Sequence, residues 1–410
     1  MPVRPPRRPH VIRPVAVALV VAGLAGCRAT PPRSDASAAR AAARDPVRAL
    51  AAEGDAARRD GRVDEAVELY ERALAIAPGS VPVHLRLVAT WVGAGRRRAA
   101  LERYTAKAAA PGAIEVERVM AARLSTDGSP AAVRRVYVDA ALRSPGDPWW
   151  RLALAEIDLA AAERALSMRE EARAAGDRAR VDAWDDRVRR ALTRAQSAVE
   201  HAAERDASIP EISLYRGLVR SMEGDLLPST TARTAAYRAA MEAFRRATQE
   251  APDMVEAWAD LADASGRAGE KASAITAWQA AVRLAPNDAS LREGLGLSLH
   301  EAERHEDAAA QYAEAAKLRP RDGTPLLMVG DSWAELSKFE RALASYDAAL
   351  ERDPSLVEAY AKRGAALEQL GRLAQARESY AVYVERDGKN SADVKRRIER
   401  ILAPAAQGSR

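Results

Sequence analysis

The stretch VEAWADLADASGRAGEKASAITAWQAAVRLAPND (255–288) decides how the rest of the chain is read. The next 34 residues, ASLREGLGLSLHEAERHEDAAAQYAEAAKLRPRD (289–322), repeat its pattern in register. GTPLLMVGDSWAELSKFERALASYDAALERDPSL (323–356) and VEAYAKRGAALEQLGRLAQARESYAVYVERDG (357–388) continue it. Pro252, Pro286, Pro320 and Pro354 fall in one column; Gly296, Gly330 and Gly364 in a second. Ala308, Ala342 and Ala376 form a third, and Tyr312, Tyr346 and Tyr380 a fourth, with Trp278 and Phe244 in the same slot upstream. The physics of the columns is that of paired antiparallel helices. Small residues sit where two helices approach most closely, an aromatic ring fills the gap beyond them, and a proline ends the second helix.

A fixed 34-residue period with these residue types resembles the tetratricopeptide repeat. The resemblance implies an all-α, right-handed α-solenoid of antiparallel helix pairs. About eight to nine repeats fit the length, the N-terminal ones degenerate, with a C-terminal capping helix. Repeat one begins near Val47, with Gly54, Gly61, Ala66, Tyr70, Ala73 and Pro78 in the expected columns. The organisation that follows is a leader (1–26), a tether (27–46), N-terminal repeats (47–147), irregular repeats (148–254), four regular repeats (255–388), a capping helix (389–403) and a disordered tail (404–410). The irregular part holds an overlong helical hairpin at 148–210, broken at Gly176-Asp177, whose mixed charges from Arg169 to Arg190 read as a solvated face. It also holds an insertion around Leu226–Thr231, read as a loop between helices. Asp253, Asp288, Asp322 and Ser355 stand where they would cap the helix that follows. Trp149 and Trp150, opening a repeat, read as core.

The net charge of +5 and pI near 9.4 invite a polyanion-binding reading. Four arginines of the leader, Arg4, Arg7, Arg8 and Arg13, account for nearly all of that excess. The regular repeats 255–388 carry 16 Lys/Arg against 23 Asp/Glu, an acidic array unsuited to nucleic acid.

Residues 1–14 are basic and proline-rich, and Val15–Ala22 (VAVALVVA) is an apolar run too short to span a bilayer. Leu24-Ala25-Gly26-Cys27 follows, and Cys27 is the only cysteine of the chain. The four residues resemble the lipobox of bacterial lipoproteins. That implies diacylglyceryl transfer to the Cys27 thiol and cleavage before it, giving a membrane-anchored envelope protein. Arg28, in place of aspartate, points to the outer membrane facing the periplasm in a diderm cell. Arg7-Arg8 is a poor twin-arginine signal, since Pro9-His10 follows it.

No nucleophile elbow, phosphate-binding loop or dinucleotide fingerprint is present. Gly294-Leu295-Gly296 lies inside a helix of the repeat pattern. His84 has no ligand-spaced neighbour, and His201 has only Glu204. His300 and His305 are five apart across a helix turn, not the four of a helical zinc pair. The expectation is therefore no catalytic, metal or cofactor site, and a protein that is not an enzyme. The alternatives are an enzyme or accessory factor acting on cell-wall glycan, or a non-lipidated secreted or cytoplasmic adaptor.

In proteins that this chain resembles, the first helix of each repeat lines a concave groove. The matching positions hold Glu256, Asp263 and Arg267; Glu293, His300 and Glu301; Asp331 and Glu335; and Glu358, Glu368 and Gln369. This reads either as an acidic candidate groove for a basic or mixed extended segment of a protein partner or as a solvated acidic face, and it lacks the lysine, arginine and asparagine set that grips a C-terminal carboxylate. The resemblance to repeat lipoproteins of pilus, secretion and outer-membrane assembly systems implies a scaffold for protein–protein interaction.

Overall fold

The computed structural model describes residues 46–386 and 391–402. The leader, Cys27, the tether up to residue 45 and the tail from 403 lie outside the described residues. Those residues hold nineteen α-helices and no strand. In chain order they are α1 (Pro46–Arg59), α2 (Val63–Ile76), α3 (Val81–Gly93), α4 (Arg97–Ala109), α5 (Glu115–Ser125), α6 (Pro130–Arg143), α7 (Pro148–Ala174), α8 (Arg178–Ala203), α9 (Pro210–Leu226) and α10 (Thr230–Glu250). There follow α11 (Val255–Arg267), α12 (Lys271–Leu284), α13 (Ala289–Glu301), α14 (His305–Leu318), α15 (Thr324–Glu335), α16 (Phe339–Arg352), α17 (Val357–Gln369), α18 (Leu373–Glu385) and α19 (Ser391–Leu402). Two compact units divide the chain: α1–α11 up to Ala268, and α12–α19 from Gly269. Within each, a helix packs chiefly on its neighbours in sequence, as a solenoid requires.

The columns become contacts. A Cβ added to Gly54 would stand 2.6 Å from the Tyr70 ring, and one added to Gly364 would stand 2.6 Å from the Tyr380 ring. Gly217 meets Phe244, Gly296 meets Tyr312 and Gly330 meets Tyr346 in the same way. Gly294 answers a different ring: it makes room for Trp278 of the preceding helix. Alanines 66, 240, 308, 342 and 376 are fully buried beside these rings. The second helices α2, α10, α12, α14 and α16 each end two residues before the column proline, with the intervening cap N–H bonded four residues back.

In every pair but the fifth, the turn holds one left-handed residue. Gly61, Gly95, Gly128, Gly176, Gly269 and Gly371 provide it, with φ between 72° and 82°. In the α13–α14 and α15–α16 turns the position belongs to Glu303 (φ 62°) and Ser337 (φ 56°), where a Cβ is strained.

Several local expectations change. The extra residues of the fifth pair do not form a loop. They lengthen α9 to 17 residues and α10 to 21, leaving only Leu227–Ser229 between them. Apolar residues continue the helical pattern up to Leu226, and the Ser229 side chain caps α10 by accepting from Ala232 N. Of the four capping residues, Asp288 alone caps as expected, accepting from Ser290 N and Leu291 N. Asp322 takes Thr324 N in a turn ahead of α15, Asp253 pairs with Arg48, and Ser355 donates to Asp353. In the α7–α8 hairpin, 27 and 26 residues long, Arg169 is not solvated: it is buried against Asp185 and Glu170. Asp158 is buried too, its carboxylate taking Arg134 at 3.2 Å and Arg194 at 2.8 Å. Trp150 is fully buried against Tyr137, a core residue, with Trp149 half-buried at the same core. On α19, Val394 and Ile398 pack on the α15–α18 core, and Arg397 reaches back to Glu368. No described helix is long and apolar enough to cross a membrane.

Candidate interaction faces

The aromatic column does more than fill space. Once a tyrosine has packed on its glycine, its hydroxyl arrives at a carboxylate of the first helix of its own pair. Tyr70 donates to Asp55 at 2.8 Å, Tyr346 to Asp331 at 3.1 Å and Tyr380 to Glu368 at 2.9 Å. In the fifth pair, where the column holds Phe244, Tyr237 seated on Gly224 does the same to Asp225 at 2.7 Å. A basic residue from the next first helix then meets the same carboxylate. Arg86 Nε lies 3.0 Å from Asp55, Arg267 bonds both oxygens of Asp225 at 2.9 and 3.0 Å, and Lys362 Nζ lies 2.6 Å from Asp331. Arg397 of α19 lies 3.5 Å from Glu368 and closes the series at the C-terminal end. Within each unit, this tyrosine–carboxylate–base arrangement occurs twice and ties one pair to the helix that follows it.

Burial sets the electrostatics of this arrangement. Desolvation alone would raise the Asp55 carboxyl; the nearby Arg86 and Arg58 and the Tyr70 hydroxyl outweigh it and hold Asp55 below the usual carboxylate range. Burial, reinforced by the adjacent carboxylates, pushes the Tyr237 and Tyr380 hydroxyls up to about 12. Asp55 is therefore ionised, and the four tyrosines protonated, at physiological pH.

The candidate groove residues divide accordingly. Asp331, Glu368 and Arg267 belong to these arrangements, and Asp263 pairs with Arg267 at 2.9 Å. Glu293 is matched by Arg319 at 2.8 Å, and Glu256 by Arg59 at 3.3 Å. Glu301 and Gln369 are exposed. Glu335 and Glu358 are exposed and make no ion pair with another described residue. Much of the acidic surplus on this face is thus matched by arginine or lysine within the chain. Sequence reasoning missed Leu297, which stands 49% exposed on the same face of α13 as Glu293 and Glu301, four residues from each. It also missed the bases Arg86 and Lys362, while naming Arg267. A signal was present, since Arg86 and Lys362 each follow their carboxylate by 31 residues.

The histidines resolve as structural or surface groups. His84 is buried, with Nε2 2.8 Å from the Pro78 carbonyl and Nδ1 2.6 Å from the Tyr104 hydroxyl. A carbonyl only accepts, so Nε2 carries the proton and Nδ1 accepts from Tyr104. Burial lowers its pKa. His300 and His305 meet across the Glu303 turn, Nδ1 to Nδ1 at 3.4 Å, which five-residue helical spacing did not anticipate because the chain reverses between them. Burial first, and His305 second, lower the His300 pKa. Among the described residues no group of three or more His, Cys, Asp or Glu side chains is placed to hold a metal ion. His201 is exposed and bonds the Ser197 carbonyl.

Family models described as tetratricopeptide repeat match residues 31–81, 260–323 and 328–391 in one case and 57–122 in another. Together they span more than half of the chain. No curated protein matches it. Among solved structures, the MamA protein is 18% identical, with 43% of this chain and 91% of that one covered and a TM-score of 0.39. YrrB, described as a TPR protein with an unusual peptide-binding site, is 18% identical over 54% and 95%, also at 0.39. A thermophilic protein of Thermus thermophilus is 23% identical over 45% and 98%, at 0.33. Likeness of that size concerns the repeat architecture alone.

Proposed function

Because the chain belongs to the tetratricopeptide-repeat family, we propose that it is a lipid-anchored scaffold of the cell envelope that holds an extended segment of another protein. Repeats of this family are interaction scaffolds, which gives the coarse function. The anchor rests on one observation: the single cysteine of 410 residues stands at the end of an apolar run, in Leu24-Ala25-Gly26-Cys27. Acylation of the thiol and of the new amino terminus would supply the two or more chains that stable anchoring needs. The residue after it, Arg28, supports an outer-membrane, periplasm-facing location in a diderm.

The segment held would be basic or mixed in charge and partly apolar. Glu335 and Glu358 are the carboxylates left for it to meet, and Leu297 is an exposed apolar contact on α13. The pathway served would be assembly of an envelope, pilus or secretion complex. The test is the mass of the N-terminal peptide of the protein recovered from cell membranes. A diacylglyceryl-modified Cys27 at the amino terminus is expected, with Cys27→Ser retaining its leader. An intact leader on the unsubstituted protein, or cleavage elsewhere, would remove the anchor from the account.

A further inference from the structure

In a solenoid each pair touches its neighbours, so ion pairs between the first and sixth first helices need the chain to curl back on itself. The first unit contains two. Arg48 Nη2 lies 3.5 Å from Asp253, just ahead of α11, and Arg59 Nη1 lies 3.3 Å from Glu256 on α11. These contacts join residues 205 and 197 positions apart. A third, Arg86 to Glu211 at 3.4 Å, crosses from α3 to α9 over 125 positions. The helices involved pack their backbones elsewhere: α1 on α2 and α3, and α11 on α9 and α10.

The two edges of this seam are opposite in sign. Arg48 and Arg59 are eleven residues apart, three turns of one helix, and so share a face of α1. Asp253 and Glu256 answer them from the other edge. Behind the seam lies a polar interior. Glu156 on α7 is held in the field of Arg123, Arg86 and Arg58, and Tyr215 on α9 feels the charges of Glu156, Glu211 and Glu256. Both are only partly reached by solvent.

We propose that the first unit has a closed and an open form, and that the Arg48–Asp253 and Arg59–Glu256 pairs are a salt-sensitive latch over its inner face. The chemistry favours a latch over a permanent weld. Three of the four residues are roughly half-exposed, Arg48 at 47%, Asp253 at 49% and Glu256 at 49%. An ion pair of that exposure shifts an equilibrium by about fivefold or less and weakens as salt screens it. While the latch is shut, the unit's inner face is spanned by its own side chains, and an extended segment can lie there only after the edges part. Affinity for such a segment then scales with the open fraction. The inference concerns the shape of the free protein and stands whether or not Cys27 is acylated.

The experiment needs no partner. Spin labels are placed at Glu53→Cys on α1 and Glu242→Cys on α10, both exposed positions, in a full chain carrying Cys27→Ser. Their distance distribution is read by pulsed electron resonance at about 50 mM and about 500 mM sodium chloride, across which the screening length falls by roughly threefold. A longer-distance population that grows severalfold with salt is expected. It should dominate in Arg48→Glu/Arg59→Glu and vanish again when Asp253→Arg/Glu256→Arg is added. One unchanged distribution across the salt range overturns the latch even if the charge-reversed variant does not fold. So does a quadruple variant that stays as open as the double.

Discussion

Tyr70 packs on Gly54 and gives its hydroxyl to Asp55, 2.8 Å away on the same helix as that glycine. One side chain thus sets both the spacing of a helix pair and the position of a charged group on its first-helix face. Gly54→Ala should push the ring off its seat and cost about 1 to 3 kcal/mol. Adding Tyr70→Leu should recover part of that loss, a coupling that urea unfolding of the two single variants and the double would reveal. Additive effects would mean that ring and glycine do not press on each other.

The turn column offers the opposite sign. Ser337 and Glu303 hold left-handed backbone that a glycine adopts freely. Ser337→Gly should stabilise by up to about 1 kcal/mol, and Gly371→Ala, at the equivalent turn, should destabilise by about as much. Shifts in urea midpoint at constant slope would check both.

Asp158 carries the long hairpin. Its carboxylate is almost wholly buried, while Arg134 and Arg194 reach it from 35% and 44% exposure. Asp158→Asn leaves two arginines that solvent can still receive, so the loss should be about 1.5 to 3 kcal/mol, not the larger penalty of stranding a buried charge. Hydrogen exchange of α7 and α8 should rise ahead of the rest of the first unit.

Acid should loosen the second pair. The fold depresses the His84 pKa, so the folded chain binds fewer protons there than the unfolded chain. Stability from His84 is present above the unfolded value of about 6.5 and is lost as pH falls below it. His300 carries the same sign, so the comparison is with His84→Gln, whose urea midpoint should fall less between pH 7.5 and 5.5 than that of the unsubstituted protein.

The stride of 34 made the helix pairs legible because it records contacts between residues close in sequence: glycine against ring, proline after helix. Charge pairing across repeats was less legible. The groove positions read as acidic when taken helix by helix, yet Lys362 and Arg86 belong to the next helix along and meet Asp331 and Asp55 only once the pairs stack. The Arg48–Asp253 contact joins residues 205 apart and leaves no periodic trace at all. The extra residues of the fifth pair read as a loop for a local reason: Pro228 and the Ser-Thr-Thr run are turn-forming types, but Ser229 caps α10 and the helix begins at Thr230.

Whether another protein lies along the first helices can be read by photo-crosslinking in intact cells. A photoreactive residue is placed singly at Leu297, Glu335 or Glu358, and for comparison at exposed Lys317 or Glu378 on second helices. One partner protein trapped from the first three positions and from neither of the others is the predicted result. Trapping of that partner only through Lys317 or Glu378, or from no position at all, would contradict it.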